Sequence, residues 1–187
     1  ANILDAAEQA VHYGARGLLV TDWGDYGHWQ VPPVSLPAFA YAAAWSWNLA
    51  GNRDRDAADY LDRFVFQDRA KVMGRFWQDL GNYYTFENAK IHNMTLTFLV
   101  LSPLTRWDTR EDFTARLNLY FQLLHALAGT FNSLPTLLES EYDFAGLMAY
   151  LEELQHRLEQ HEMQCANCHH VYREAIYTLQ LVRHGAK

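Results

Sequence analysis

The sequence predicts a mainly α protein that opens with a single α-β-α unit and continues as an all-helical bundle. Three observations support this prediction. After residue 50 the apolar residues recur at helical spacing, and in the last third they alternate steps of three and four. A short β-branched run typical of a buried strand occurs once, before residue 50. We therefore expect a first segment at residues 1–50 and a helical domain at residues 51–187.

The first segment contains two predicted helices and one predicted strand. Residues 3–13 form the first helix, which Gly14 is placed to end. Residues 17–21, GLLVT, read as a strand buried on both faces, as in a parallel sheet. Ser35 can cap a helix over residues 36–48, which is apolar on nearly every face and is predicted to be buried. A lone strand needs partners, so they must come from sequence outside this chain or from another chain.

After residue 50 the pattern is helical throughout. Asp68 can cap the second of three predicted helices, and Thr109 begins a fourth, which ends at Gly129. The apolar stripes of the first three are Ala57, Ala58, Leu61, Phe64 and Val65; Val72, Met73, Phe76, Trp77 and Leu80; and Ile91, Met94, Thr95, Phe98 and Leu99.

The last third carries a heptad-like seam. It predicts one very long helix, or two packed helices with a break near Asn167. The spacing of His161, Cys165 and Cys168 would put all three on one helix face. The whole seam is Phe144, Leu147, Leu151, Leu154, Leu158, His161, Cys165, Cys168, Tyr172, Ala175, Leu179 and Val182.

Composition excludes several classes of partner and fold. The net charge is −7 with acids and bases interspersed, which argues against a nucleic-acid partner. No apolar run approaches the roughly 18 residues of a membrane helix, so we expect a soluble protein and favour the cytoplasm. Two cysteines three residues apart exclude a disulfide framework. Because the chain begins with Ala1, we expect a processed or excised chain.

The stretch VTDWGDYGHWQ directly follows the predicted strand. Loops at the carboxyl ends of parallel strands face the functional site in barrels and open sheets. Asp22 and Asp25 can accept hydrogen bonds from hydroxyls, and Trp23 and Trp29 offer flat apolar faces, with His28 beside them. Carboxylate with indole suits a sugar, whose ring has polar edges and an apolar face. The alternative is a turn in which both indoles belong to the core.

This stretch and the helix after it carry a resemblance. The residues LLVTDWGDYGHWQ and PVSLPAFAYAAAWSWN resemble the last strand, loop and helix of the (β/α)8 barrel in family 20 glycoside hydrolases, the β-N-acetylhexosaminidases. In that family a Trp-Gly-Glu at the end of the eighth strand supplies an indole wall and a carboxylate to N-acetylglucosamine. The resemblance implies Trp23 for the wall and Asp25 for the carboxylate. Asp25 is one methylene shorter than the family's Glu.

The resemblance also implies what this chain lacks. The family's catalytic pair is an adjacent Asp-Glu, and no such dipeptide occurs here. We therefore expect no catalytic residue, no cofactor and no activity in this chain alone. It would be the C-terminal part of an enzyme removing terminal N-acetylhexosamine, with residues 1–50 closing the barrel. About 250 upstream residues would carry the Asp-Glu pair and the rest of the barrel.

The motif CANCHH, residues 165–170, supports a different hypothesis. C-x-x-C-H is the attachment signature of c-type haem, and cysteine with histidine also suits zinc. Because both cysteines fall on the apolar seam, we favour a structural role and assign no metal site. The alternative function is a free-standing helical interaction or metal-binding module, which would form a homodimer by pairing through residues 17–21.

Overall fold

The computed structural model describes residues 2–23, 30–87, 95, 97, 101, 142–166 and 168–187, and this part of the chain is mainly helical. The mainly α prediction is thereby confirmed. Apart from Thr95 and Thr97, the helices predicted at residues 91–99 and 109–128 lie outside the described residues. The α-helices are α1 (Asn2–His12), α2 (Leu36–Trp47), α3 (Leu49–Asn52), α4 (Ala57–Tyr60), α5 (Met73–Leu80), α6 (Phe144–Gln160) and α7 (Cys168–Ala186), with 3-10 helices at Pro32–Val34 and Tyr83–Phe86 and a π-helix at Leu61–Val65.

The chain divides into two compact units. The first comprises Ala1–Gly81 and Glu152–Leu179, and the second comprises Asn82–Leu151 and Gln180–Lys187. In the first unit α1 packs on α2, α4 packs on α5, and α2 also contacts α4 and α5. Its buried apolar side chains include Ala42, Trp45, Ala57, Leu61, Met73, Phe76, Trp77, Leu80, Leu154, Leu158, Ala175 and Leu179. The domain boundary at residue 50 stays a prediction.

The end of α1 confirms the role predicted for Gly14. Its φ of 67° lies in the left-handed region, where glycine carries no steric penalty. The Gly14 amide donates to the Val11 carbonyl oxygen at 3.3 Å, and the Ala15 amide donates to the Ala10 carbonyl oxygen at 2.8 Å. These two bonds form a Schellman motif, which pairs carbonyl groups left open at the helix end.

The C-terminal seam forms two helices, with a break where it was predicted. Apolar seam residues are buried in both helices, namely Leu147, Leu151, Leu154, Leu158, Ala175, Leu179 and Val182. The prediction that His161, Cys165 and Cys168 share one helix face is wrong, because α6 ends at Gln160 and α7 begins at Cys168. Between them, Gln164 is held away from helical geometry. Its amide donates to Asp68 Oδ1 at 2.8 Å, and its carbonyl oxygen accepts from the Arg69 amide at 3.1 Å.

The segment after α4 departs from the predicted stripe. Phe64 and Val65 were expected to continue the apolar face, but they are 63% and 46% exposed. The reason is the π-helix, in which the Phe66 amide donates five residues back to the Leu61 carbonyl oxygen at 2.8 Å. A turn with one extra residue rotates the side chains that follow it. Asp62 and Phe66 thereby become the buried positions, at 3% and 6% exposure.

The second unit contains a buried polar cluster next to the 3-10 helix Tyr83–Phe86. Glu87 is 1% exposed. Its carboxylate accepts from the Thr97 amide at 3.0 Å and from the Thr97 hydroxyl at 2.5 Å. The Tyr83 hydroxyl and the Thr95 hydroxyl share a hydrogen bond of 2.8 Å. Burial, with the negative charge of Glu87, raises the pKa of Tyr83 to about 12, so the phenol is neutral at physiological pH. Hydrogen bonding of this kind offsets the cost of burying polar groups.

None of the helices in the described residues is long and apolar enough to cross a membrane.

Candidate functional site

Two residues of the predicted sugar site, Asp22 and Trp23, are among those that the structure describes. Asp25, His28 and Trp29 lie outside the described residues. The Trp23 side chain is 75% exposed, and its indole Nε1 donates to the Thr21 hydroxyl at 2.6 Å. This bond satisfies the polar edge of the indole and leaves its apolar faces available for contact.

Asp22 connects this segment to the start of α2. Its Oδ2 accepts from the Ser35 hydroxyl at 2.5 Å, across thirteen positions of sequence. Ser35 occupies the predicted N-cap position of α2, but its side chain makes no cap hydrogen bond. The predicted capping role of the hydroxyl is therefore wrong. The reason is backbone geometry, since Ser35 has φ −85° and ψ −18° in the helical region, whereas a side chain that caps a helix normally belongs to a residue with extended backbone.

The predicted burial of α2 is also wrong for the chain as described. Ala42 and Trp45 are its buried residues, while Phe39 is 38% exposed and Trp47 is 89% exposed. One face of α2 packs within the first unit, and the described residues do not cover the rest. Residues 17–23 are likewise neither helical nor paired as a strand in the described chain, and Leu19 there is 91% exposed. A strand cannot form without a partner.

A cleft lies beside the π-helix Leu61–Val65, and it was not predicted from the sequence. Its volume is about 740 Å³, and its walls carry both acidic and basic side chains, among them Asp59, Asp62, Arg63 and Lys71. π-Helices and buried ionisable groups recur at functional sites, which makes this cleft a candidate binding site. The spacing of apolar residues did not indicate this cleft, because it predicted an uninterrupted α-helix.

Asp62 and Asp68 are the two buried acids among the described residues that line this cleft. Asp62 Oδ1 accepts from the Gly74 amide at 2.7 Å. Burial raises the pKa of Asp62, the Gly74 hydrogen bond lowers it and the nearby Asp68 charge raises it, with a net value of about 6. A carboxyl group with this pKa can hold or release a proton near neutral pH.

The Asp62 pKa predicts how stability depends on pH. The folded state binds this proton more tightly than the unfolded state, whose value is near 3.8, so the free energy of unfolding falls as pH rises between these pKa values. The total loss is about 3 kcal/mol, complete above about pH 6. In Asp62→Asn the amide oxygen can still accept from Gly74. We expect this variant to show no such decline with pH, and its free energy of unfolding at pH 8, measured in urea, to be about 2 kcal/mol higher than that of the unsubstituted protein.

Asp59→Asn is the matched control for that experiment. The Asp59 side chain is 76% exposed, so its substitution should change the free energy of unfolding by under about 0.5 kcal/mol across the same range. Equal pH profiles for Asp62→Asn and the unsubstituted protein would contradict the assigned pKa.

Asp68 organises the loop at the edge of the cleft. It is 3% exposed, and its carboxylate accepts four backbone amide hydrogens, from Ala70, Val72, Met73 and Gln164. The predicted N-cap position is wrong, because α5 begins at Met73 with Val72 at its N-cap. Asp68 instead accepts from the Val72 and Met73 amides from the preceding loop, and from the distant Gln164. Gln67 and Lys71 on either side have φ values of 51° and 56°, in the left-handed region. Such conformations are held by surrounding contacts.

Cys165 and Cys168 lie in contact at the start of α7. Both residues are half-buried, and their Sγ atoms are 2.7 Å apart. Within the described residues no group of three or more histidine, cysteine, aspartate or glutamate side chains is placed to hold a metal ion.

Comparison of this chain with protein-family models, with curated proteins and with solved structures finds no match.

Proposed function

We propose that this chain forms one wall of the sugar pocket in a β-N-acetylhexosaminidase-like glycoside hydrolase. In this proposal residues 1–50 complete a (β/α)8 barrel, and Trp23 and Asp25 bind a terminal N-acetylhexosamine. Asp22, His28 and Trp29 border the same pocket. The catalytic carboxylates come from the remainder of the enzyme, so this chain binds substrate without performing the bond cleavage.

The observation that carries the proposal is the exposure of large apolar side chains at residues 17–23 and 36–47 in the part of the chain that the structure describes. Leu19, Trp23 and Trp47 are 91%, 75% and 89% exposed. Large apolar patches on a protein surface indicate contact with other protein or ligand. Neighbouring barrel strands would pair with residues 17–21, and neighbouring barrel helices would cover α2.

The local hydrogen bonds suit a binding wall. The bond from Trp23 to the Thr21 hydroxyl restrains the indole, and a restrained aromatic ring loses little entropy when a sugar stacks on it. The bond from Ser35 occupies one oxygen of Asp22. This division supports the assignment from the family resemblance, in which Asp25 provides the carboxylate for the sugar hydroxyls.

The test uses the complete gene product and an aryl β-N-acetylglucosaminide. We expect hydrolysis, with kcat/KM lowered at least about tenfold in Trp23→Ala and about a hundredfold in Asp25→Ala. Tyr177→Ala is the control, because it removes a 48% exposed aromatic ring from α7 and should leave kcat/KM unchanged. Absence of hydrolysis, or unchanged kinetics in Asp25→Ala, would refute the proposal.

The homodimer alternative has a separate signature. Pairing of two copies through residues 17–21 would give a dimer in sedimentation that Leu19→Lys converts to a monomer. On the barrel proposal, Leu19→Lys lowers the stability of the complete enzyme instead and leaves its oligomeric state unchanged.

A further inference from the structure

The cysteine pair at the start of α7 has a geometry that the sugar-binding proposal does not use. Cys165 and Cys168 bring their Sγ atoms to 2.7 Å, with the Cys168 thiol also 2.8 Å from the Cys165 carbonyl oxygen. The Cys165 amide donates to Cys168 Sγ in return. The two sulfur atoms thus lie where a bond can form between them with little movement.

The surroundings favour thiol chemistry. Cys165 lines a surface cavity of about 440 Å³ together with Gln67, Arg69, Gln164 and Ala166. Among these described lining residues, Arg69 carries a charge. An anionic reagent can therefore approach Cys165 beside a guanidinium group.

We propose that Cys165 and Cys168 form a redox-active dithiol that reduces small anionic disulfides by thiol–disulfide exchange. The Cys165 thiolate attacks one sulfur of the disulfide, forms a mixed disulfide and releases the first thiolate. The Cys168 thiolate then attacks Cys165 Sγ, closes the Cys165–Cys168 bond and releases the second thiolate. The two cysteine protons end on the two released thiols, and two electrons pass from the pair to the substrate.

The test treats the full chain with oxidised glutathione and follows the products by mass spectrometry after thiol alkylation. We expect the unsubstituted chain to lose two hydrogens and to retain no glutathione, and dithiothreitol to reverse this change. Cys168→Ser should instead accumulate glutathione on Cys165, because the second step is blocked. Persistent glutathione on both cysteines of the unsubstituted chain, or no reaction, would overturn the proposal.

Two further measurements separate the anionic site from general thiol reactivity. Arg69→Gln should slow the reaction with oxidised glutathione about threefold and leave the reaction with uncharged 2-hydroxyethyl disulfide unchanged. Equal rates for Arg69→Gln and the unsubstituted chain with both reagents would overturn the assignment of the anionic substrate. Zinc added alone should be lost on gel filtration, and retention of one ion per chain at these cysteines would assign the pair to metal binding and overturn the redox role.

Discussion

Replacing Asp68 with alanine is expected to lower the free energy of unfolding by about 4 kcal/mol. The carboxylate accepts amide hydrogens from Ala70, Val72, Met73 and Gln164 at 3.0, 2.9, 3.2 and 2.8 Å. A hydrogen bond to a charged group contributes about 1.5 to 3 kcal/mol, and a buried donor left without a partner adds a desolvation cost. Alanine would remove all four bonds at once. Urea unfolding at pH 7 measures the loss.

Two other substitutions make this prediction specific. Asp68→Asn keeps one carbonyl oxygen, so we expect about half the loss. Asp59→Ala removes a 76% exposed carboxylate nearby in sequence and should cost under about 0.5 kcal/mol. If Asp68→Ala cost less than about 1 kcal/mol, these four contacts would not be what holds residues 68–73 and Gln164 together.

Gly74→Ala is expected to cost about 3 kcal/mol, at the upper end of the effects of overpacking. A Cβ atom on Gly74 would lie 2.2 Å from the Ala58 carbonyl oxygen and 2.9 Å from Asp62 Oδ2. The closer neighbour is backbone, which cannot rotate away as a side chain can. Relief therefore requires α4 and α5 to separate, which loosens the buried contacts between them. Thermal unfolding followed by circular dichroism measures this loss.

Gly81→Ala is the matched control at the other end of α5. Its Cβ would meet nothing closer than 3.4 Å, and the Gly81 φ of −59° is accessible to alanine. We expect Gly81→Ala to be neutral or to stabilise the protein slightly by restricting the unfolded chain. Equal stability of the two variants would contradict the close approach of α4 and α5.

Local patterns in the sequence predicted several features of the helices that the structure describes. The Gly14 end of α1 and the apolar face of α5 depend on short-range spacing and capping, so a single sequence is sufficient to predict them. The residues of the sugar site were predicted from a motif, and of these Asp22 and Trp23 lie on an exposed segment of the described structure.

The cleft beside the π-helix could not be predicted in the same way. The π-helix inserts one residue into a turn, and apolar spacing is read on the assumption of a constant period. Asp62 lies outside the apolar stripe predicted for this helix and is in fact buried. The exposed face of α2 was not predicted for a related reason. Apolar composition predicts that a helix will be buried, but it does not show whether residues of this chain bury it.

The sequence by itself determined a mainly helical protein and the end of its first helix. Only the tertiary structure decided which acids are buried and where the cysteine sulfur atoms meet. The physical reason is the distance along the sequence over which each interaction acts. Capping and periodicity act over a few residues, whereas the bond from the Gln164 amide to Asp68 spans 96 positions and ends the helical seam before Cys165. That contact depends on the packing of elements distant in sequence, which no local pattern encodes.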